Sequence, residues 1–231
     1  MNDKTNPQGK ESCLISEAKL IALLTEKDTA LASLYLEVHQ LRKENEELQK
    51  LCEIDLMTKL VRQDFAEQKI MRMLQHEART KKFVEVSVLF VDLDRLKTFN
   101  DQFGHAAGDE AIRAIAELLR KSFRADDLLI RFGGDEFLVI MIHTSKKITR
   151  QLAEKFRTSV DQSNDHRLNL GALHGTVSIG CLHKKLPLNQ HVSPETIKDL
   201  TKAVMNCIAL ADEQMREVKR GGRNAVSYLV A

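Results

Sequence analysis

The hydrophobic pattern in the N-terminal part of the chain has the spacing of a coiled coil. From residue 17 to residue 55 there is no Pro or Gly, and apolar residues recur every seven positions in two sets. Heptads of this kind predict a helix that pairs with another helix along one apolar stripe. The residues at a positions are Leu24, Leu31, Val38, Asn45 and Cys52, and those at d positions are Leu20, Leu34, Leu41 and Leu48.

Charged and polar positions refine this prediction. Asn45 within the apolar stripe favours two parallel helices in one register, and Glu37 at g can meet Arg42 at e of a partner helix. Glu17 at an a position and Lys27 at a d position depart from the repeat. They leave open a single amphipathic helix that folds back on its own domain, but the prediction is a dimeric stalk.

The remainder of the chain alternates between strand-like and helix-like patterns. A helix is predicted at 61–81, a strand at 83–92, a helix at 105–123, two strands between 128 and 142, a helix at 146–162, a strand at 172–183, a helix beginning after Ser193 and a strand at 225–230. The order βα, β hairpin, αβ is ferredoxin-like. The predicted fold class is therefore α+β, with a ferredoxin-like or polymerase-palm-like sheet that contains antiparallel strands, is covered by helices and follows a long N-terminal coiled-coil helix.

Length and composition fit one packed domain with an appended element, since the chain has 231 residues of which 43% are hydrophobic. We predict a disordered tail at 1–16, a coiled-coil dimerisation stalk at 17–55 and a globular domain at 56–231. The four cysteines are dispersed without a CxxC pair, no apolar run approaches the length of a membrane span, and the net charge is only +2. We therefore expect a cytoplasmic protein that neither crosses a membrane nor binds nucleic acid.

Acidic residues follow the first predicted strand of the domain and occupy the turn of the predicted hairpin. Asp92 and Asp94 end the strand, and Gly133-Gly134 precede Asp135 and Glu136 in the turn. Carboxylates from two segments suit Mg²⁺, which takes its other ligands from phosphates and water, and two such ions activate a hydroxyl and shield a leaving pyrophosphate. The spacing fits equally well a tight turn in which the glycines supply positive φ angles and the acids are incidental.

A family resemblance separates these two interpretations. Residues 133–137 read GGDEF and reproduce the signature of the GGDEF family of diguanylate cyclases, which the chain resembles over about residues 55–229. Further matching segments, in the order of the family, are Asp92 to Asp101, Phe103 to His105, Gly108-Asp109, Val177 to Gly180 and Lys219 to Asn224. The resemblance implies an enzyme that joins two GTP molecules into cyclic di-GMP and releases two pyrophosphates.

The resemblance also implies a role for individual residues. Asp92, Asp135 and the Leu93 carbonyl would bind two Mg²⁺ ions, with Mn²⁺ as an alternative metal. Glu136 would be a further ligand or would help to deprotonate the attacking 3′-hydroxyl. Asp135 and Glu136 are thus the predicted catalytic residues, and which of them acts as the base is left open. The predicted GTP-binding residues are Arg95, Leu96, Lys97, Asn100, His105, Asp109, Gly133, Gly134, Lys219 and Arg223.

Chemistry supports the guanine assignment. A carboxylate such as that of Asp109, beside Asn100, accepts hydrogen bonds from guanine N1–H and the 2-amino group, whereas adenine presents an acceptor there, which favours GTP by roughly tenfold to hundredfold. Taken singly, His105 fits a residue that packs at a helix start. Lys219 and Arg223 fit cations at a helix C-terminus, so only the resemblance assigns these three to the ligand.

The resemblance also implies a second ligand site, and the chain departs from the family pattern at three positions. Arg124-Ala125-Asp126-Asp127 fits the RxxD pattern of the family's inhibitory site, where Arg124 and Asp127 would bind cyclic di-GMP. Alone, such a pattern indicates only a salt bridge at a helix end. Lys59 replaces the glycine of the family's DxLTGL motif at residues 55–60, Gln214 replaces an alanine, and Arg216 replaces an aromatic residue.

A dimer follows from the proposed reaction, because each domain would hold one GTP and two domains must face each other. The stalk would raise the effective concentration of the second site. The predicted partners are GTP, cyclic di-GMP and a second copy of the chain. The alternatives are a catalytically silent receptor for cyclic di-GMP and a coiled-coil scaffold with an inert globular end.

Overall fold

The computed structural model describes residues 29–45, 48, 53–78, 82–187 and 193–230. The chain divides into two compact units, Met1–Cys52 and Glu53–Ala231. The predicted tail at 1–16, and the heptad positions at Leu20, Leu24 and Cys52, lie outside the described residues. The predicted division of the chain after residue 55 stays a prediction.

The described part of the first unit is a helix, α1, over residues 29–45. Its side chains are exposed, and they include the predicted a and d residues Leu31 (67% exposed), Leu34 (56%), Val38 (40%) and Leu41 (56%). A helix that presents an apolar stripe to water gains most of its stability when another surface covers that stripe. The structure thus contains the predicted helix, with the predicted seam uncovered in the single chain.

The second unit is built from strands and helices that alternate along the chain. They are β1 (Val61–Arg62), α2 (Ala66–Glu77), β2 (Phe83–Leu93), α3 (Leu96–Phe103), α4 (His105–Ser122), β3 (Leu128–Arg131), β4 (Glu136–Ile142), α5 (Lys146–Asp161), β5 (Asn169–Leu170), β6 (Leu173–His174), β7 (Val177–Pro187), α6 (Pro194–Arg220) and β8 (Val226–Val230). The main sheet has the order β1-β3-β4-β2-β7-β8, and β5 pairs with β6 separately. Strand β2 pairs antiparallel with both of its neighbours, β4 and β7.

Helices cover both faces of this sheet because the side chains of β2 alternate between two cores. Val86, Val88 and Phe90 belong to the core that includes α2 and α6, whereas Leu89 and Val91 belong to the core that includes α4 and α5. A central strand that is buried on both faces reads as an almost continuous apolar run, which is why the sequence predicted it. The predicted α+β fold class is confirmed.

Three short segments differ from the prediction. The predicted helix at 61–81 begins as strand β1, which pairs parallel with β3, and α2 itself begins at Ala66. The strand predicted at 172–183 begins only at Val177, because the residues before it form the β5–β6 pair, and it extends to Pro187. Helix α3 was not predicted, since Phe99 is its only buried residue.

Helix α6 lies directly on β7 at Gly180. A Cβ atom built on this glycine would lie 1.9 Å from the main-chain oxygen of Ala211 and 2.4 Å from the main-chain nitrogen of Met215. Only glycine allows backbones to approach this closely. The predicted start of α6 is also present, because Ser193 accepts a hydrogen bond from the Thr196 main-chain N–H at 3.2 Å. None of the described helices combines the length and apolar character that a membrane span requires.

Candidate active site

The predicted acidic residues meet at one edge of the sheet. In the register of the sheet, Asp92 on β2 lies opposite Glu136 on β4 and opposite Ser178 on β7. Asp135 directly precedes β4, and its main-chain oxygen accepts a hydrogen bond from the Leu93 N–H at 3.1 Å. Segments that are more than 40 residues apart in sequence are therefore neighbours here, and they form an acidic cluster of Asp92, Asp135 and Glu136.

Burial and like charge make this acidic cluster unfavourable without a cation. Asp92 is 2% exposed, and burial raises the pKa of its carboxyl to about 7, with the negative charges of Asp135 and Glu136 adding to the effect. The Lys219 ammonium opposes this shift, since its Nζ lies 2.5 Å from Asp92 Oδ2. Burial and the charges of Asp135 and Asp212 also raise the pKa of Glu136.

The donor set of the acidic cluster fits a hard divalent cation. Within the described part of the chain, no three His, Cys, Asp or Glu side chains form a ready-made metal-binding group. The cluster nevertheless offers carboxylate oxygens from two strand ends, and a positive charge, that of Lys219, already lies against the most buried of them. Oxygen donors of this kind, few in number, suit Mg²⁺ or Mn²⁺ when further ligands come from a substrate.

The glycines of the signature provide space rather than unusual backbone angles. Among the described glycines only Gly104, Gly171 and Gly222 have positive φ, so the interpretation that Gly133 and Gly134 supply positive φ angles is wrong. A Cβ on Gly133 would lie 2.7 Å from Glu136 Oε2, and a Cβ on Gly134 would have no neighbour within 4 Å. The first glycine therefore makes room for the Glu136 carboxylate, and the second leaves open space beside the turn.

Arg131 holds this turn, and the sequence did not single it out. Its Nη2 donates to the Gly134 main-chain oxygen at 3.1 Å, and its Nη1 donates to both carboxylate oxygens of Asp55 at 3.1 Å. Asp55 also accepts hydrogen bonds from the Thr58 N–H at 2.8 Å and from its hydroxyl at 2.7 Å. The turn at residues 55–60 is thus connected to the signature by one guanidinium.

The start of α3 is suited to bind phosphate groups. Arg95 has a φ of 60°, and α3 begins at Leu96 without a side-chain cap. The first amide groups of the helix therefore have no intrahelical acceptor, and together with the helix dipole they favour an anion. The exposed side chain of Lys97 lies on this first turn. The structure places these predicted phosphate-binding residues directly after the strand that carries Asp92.

The predicted guanine-binding residues lie on two helices that pack together. Asn100 on α3 faces Gly108 on α4 so closely that a Cβ on Gly108 would lie 1.9 Å from Asn100 Oδ1. This oxygen is buried and has no hydrogen-bond partner, which is unusual in a folded protein. Asp109 and His105 on α4 are exposed. An unpaired acceptor beside an exposed carboxylate is suited to a base edge that carries N–H donors.

The C-terminal end of α6 brings positive charge to the acidic cluster. Lys219 lies in its last turn and contacts Asp92, and the Nε of Arg223 lies 4.0 Å from Asp94 Oδ1. Arg216 is at the same edge, where its Nη2 lies 2.6 Å from Asp212 Oδ2. Arg216, which replaces the family's aromatic residue, lowers the pKa of Glu136 by its positive charge, and Asp212 raises it by its negative charge. The sequence did not identify Asp212 as part of the site.

The predicted inhibitory residues lie at the other end of β3 from the signature. The main-chain N–H of Arg124 donates to Asp127 Oδ2 at 2.8 Å, and burial raises the pKa of this carboxyl. The described residues show no ion pair between the two side chains, which does not support the salt-bridge alternative. Both line a cavity of about 640 Å³, a size that accommodates a small ligand. The other lining residues are Arg72, Met73, His76, Glu77, Asp126, Ile142 and His143.

The chain is similar to known proteins in sequence and in fold. Residues 52–225 match the family model described as diguanylate cyclase, GGDEF domain. The diguanylate cyclases DosC and DgcM of Escherichia coli K12 are 31% and 32% identical to the chain over 173 and 191 residues, which are 75% and 82% of this chain. The solved coiled coil and GGDEF domain of DgcB from Caulobacter crescentus, in complex with c-di-GMP, has a TM-score of 0.63 at 24% identity and covers 87% of this chain and 98% of that chain.

The chain belongs to the GGDEF-domain diguanylate cyclase family. The match to the family model extends through the acidic cluster, the two helices that carry Asn100 and Asp109, and the end of α6. The aligned regions are 34% of the length of DosC and 42% of the length of DgcM. The likeness to DgcB shows the fold.

Proposed function

We propose that this protein is a diguanylate cyclase that condenses two GTP molecules into cyclic di-GMP with release of two pyrophosphates. The observation that carries the proposal is the acidic cluster, in which Asp92 lies opposite Glu136 at the edge of the sheet and beside the turn of a GGDEF signature. Since the substrate is a cytoplasmic nucleotide, the proposal also places the enzyme in the cytoplasm.

The acidic cluster is the proposed site of two Mg²⁺ ions, with Mn²⁺ as an alternative. Asp92, Asp135, Glu136 and the Leu93 carbonyl would hold them, and the remaining ligands would come from triphosphate oxygens and water. When bound, the ions stabilise negative charge on the reacting phosphate and on the leaving pyrophosphate. Lys219, which pairs with Asp92 in the protein alone, is free to turn to the triphosphate once other positive charges neutralise this carboxylate.

The residues of the chain bind and orient GTP. Asn100 and Asp109 accept hydrogen bonds from guanine, with His105 beside them. The amide groups of residues 95–97 receive phosphate oxygens, together with the side chains of Lys97, Lys219 and Arg223 and the open space beside Gly133-Gly134. Binding of one end of the nucleotide by donors and of the other by acceptors fixes its direction in the site, which accounts for part of the rate enhancement of a two-substrate reaction.

Proton transfer falls to the acidic cluster. The 3′-oxygen of one GTP attacks the α-phosphorus of the other, a new P–O bond forms, and the bond to pyrophosphate breaks. Glu136 or Asp135 takes the proton of the attacking hydroxyl. The same step, with the two nucleotides exchanging roles, closes the ring.

A homodimer provides the second GTP. Each domain contains one guanine site and one acidic cluster, so two domains must meet for both bonds to form. The exposed apolar stripe of α1 supports pairing through the N-terminal coiled coil, because Leu31, Leu34, Val38 and Leu41 share one face of that helix. A shared stalk keeps the second active site at high effective concentration.

Cyclic di-GMP is also the proposed inhibitor, bound by Arg124 and Asp127. The cavity that they line is large enough for a small ligand, and the Arg124 guanidinium is available to pair with phosphate in a bidentate manner. Variant Arg124→Ala is expected to continue turnover at product concentrations that stop the unmutated enzyme. Equal inhibition of the two proteins would remove Arg124 from the inhibitory site.

The activity is tested with purified protein, GTP and MgCl₂, and with chromatography that detects cyclic di-GMP and pyrophosphate. Unmutated protein is expected to make both products, Asp135→Ala neither, and the matched control Asp199→Ala, an exposed acid on α6, as much as the parent. No product from the unmutated protein would contradict the proposal. If that inactive protein still bound cyclic di-GMP, it would be a receptor for this nucleotide. If it bound no nucleotide of any kind, it would be a scaffold.

A further inference from the structure

A buried carboxylate that the proposed chemistry does not use lies two residues beyond Asp92. Asp94 is 2% exposed. Its Oδ1 accepts a hydrogen bond from Ser178 Oγ at 2.7 Å. Its Oδ2 accepts one from Thr176 Oγ1 at 2.8 Å and another from the main-chain N–H of Asn224 at 3.1 Å. Because these donors occupy both oxygens, Asp94 has little capacity left to bind a metal ion, and its role must lie in the segments that it joins.

One of these segments has an unfavourable backbone. After the end of α6, Gly222, Arg223 and Asn224 have consecutive positive φ angles of 121°, 69° and 44°. Asn tolerates this region better than most residues, but Arg rarely adopts it, and such a residue persists only where the surrounding structure holds it. The turn at residues 222–224 therefore requires specific contacts to keep its shape.

Asn224 receives these contacts from two directions. On one side its main-chain N–H donates to Asp94, as described above. On the other side its side-chain oxygen accepts a hydrogen bond from Arg157 Nη1 at 2.9 Å, and its Nδ2 donates to Asp161 Oδ1 at 3.1 Å. Both of these partners belong to α5. Asn224 is thus fixed between the end of β2 and the end of α5.

The turn carries one cation, Arg223, close to the residue that Lys219 contacts. Arg223 lies within it, with its side chain 44% exposed and its Nε 4.0 Å from Asp94 Oδ1. Its main-chain N–H donates to the Val218 oxygen at 3.0 Å, which ties the turn back to the last turn of α6. Lys219, in that same last turn, contacts Asp92. The shape of the turn therefore determines where the Arg223 guanidinium lies relative to the acidic cluster.

We propose that Asp94 and Asn224 are positioning residues that hold the turn at residues 222–224, so that Arg223 meets the phosphates of the nucleotide. The inference rests on the proposed binding of GTP at this site. It assigns to Asp94 a role that differs from that of its neighbour Asp92, although both end the same strand. Neither residue touches the guanine site on α3 and α4, so the two should affect phosphate binding and leave guanine binding unchanged.

The test compares two ligands that share guanine and differ in phosphates. Dissociation constants are measured for α,β-methylene GTP, which cannot form the product, and for guanosine. Asp94→Ala and Asn224→Ala are expected to weaken binding of the GTP analogue at least tenfold and binding of guanosine less than twofold. Thr176→Val is the matched control, because it removes another donor from the same Asp94 oxygen without touching the turn, and it should keep the parent's ratio of the two constants.

Each other result decides against the inference. Unchanged analogue binding in Asp94→Ala and Asn224→Ala would overturn it, as would equal losses for guanosine and the analogue, or the same loss in Thr176→Val. If Asp94→Ala does not fold, Asn224→Gly serves instead, because glycine accepts the positive φ and keeps the N–H to Asp94 while losing the contacts to α5. Unmutated protein that makes no cyclic di-GMP yet binds the analogue contradicts only the proposed function, whereas failure to bind the analogue contradicts both.

Discussion

Replacement of Gly108 by alanine tests the guanine site without altering any residue that would contact the base. The new Cβ would lie 1.9 Å from Asn100 Oδ1, 3.0 Å from Asn100 Cγ and 3.1 Å from Leu96 Cδ1, whereas ordinary contact begins near 3.4 Å. All three atoms belong to side chains, so the structure can accept the methyl group if the Asn100 amide swings away by about 1.5 Å. We therefore expect Gly108→Ala to keep the fold and to displace the Asn100 side-chain amide.

The magnitudes follow from these contacts. Alanine in a helix interior stabilises by about 0.5–1 kcal/mol relative to glycine, and a displaced Asn100 rotamer costs about 0.5–1.5 kcal/mol, so the free energy of unfolding should change by less than about 1 kcal/mol. Loss of the hydrogen bond from guanine, with a donor left unpaired in the site, costs about 1–3 kcal/mol. This corresponds to a loss of GTP affinity of about fivefold to 150-fold.

The same substitution at Gly180 is the contrasting control. There the new Cβ would meet the main chain of Ala211 and Met215, and a backbone cannot rotate away as a side chain can. Overpacking of this kind typically costs about 1–3 kcal/mol, and α6 must rise from the sheet to relieve it. Gly180→Ala should therefore be clearly less stable than the parent, whereas Gly108→Ala should not.

The free energy of unfolding is measured by urea unfolding, monitored by circular dichroism. The affinities for α,β-methylene GTP and for its ATP counterpart are measured by calorimetric titration. Gly108→Ala is expected to unfold near the parent's midpoint and to bind the GTP analogue about fivefold to 150-fold more weakly than the parent. Parent-like affinity and preference would show that Asn100 does not read guanine. A loss of stability as large as that of Gly180→Ala would refute the distinction between side-chain and main-chain contacts.

Three further predictions rest on other parts of the structure. Lys59 has a φ of 59°; Lys59→Gly should stabilise the domain by about 0.5–1 kcal/mol in urea unfolding, whereas Lys59→Ala, with the same loss of charge, should not. Leu34→Asp should abolish the dimer in analytical ultracentrifugation, while Leu36→Asp, outside the a and d stripe, should leave it intact. Arg167 lowers the pKa of Asp165 by hydrogen bonding; because a carboxylate with a depressed pKa stabilises the fold only while ionised, the deficit of Arg167→Gln in urea unfolding should be present at pH 7 and shrink as the pH falls below about 4.

The parts of the fold that the sequence predicted have strong and long patterns. Strand β2 is buried on both faces and α4 repeats its apolar residues over five turns, so both were predicted nearly to their ends. Strand β1 has two residues, and α3 buries only Phe99, so neither provides a pattern long enough to recognise. Their places depend on neighbours, since β1 forms by pairing with β3 and through a bridge between Val61 and Ile54.

Prediction of the site had a similar limit. The resemblance indicated Asp92 and Glu136, and the register of the sheet shows them as neighbours. Arg131 and Asp94 were not assigned a role, because their partners Asp55 and Asn224 lie 76 and 130 positions away and nothing local marks the pairing. The signature glycines were correctly placed in the hairpin turn, but the reason for them is steric and required the position of the Glu136 side chain.

The direct contact between α6 and β7 at Gly180 has a consequence for how this domain can change over evolutionary time. Core side chains elsewhere can be exchanged for larger or smaller ones, and each exchange shifts a helix slightly against the sheet. Where two main chains are in contact, there is no side chain between them that could be exchanged. The contact at Gly180 therefore sets a minimum distance between α6 and the sheet. Lys219 is carried by that helix and Asp92 by the adjoining strand. Substitutions elsewhere in the core should therefore change the distance between this ammonium and this carboxylate less than they would if side chains separated the helix from the strand.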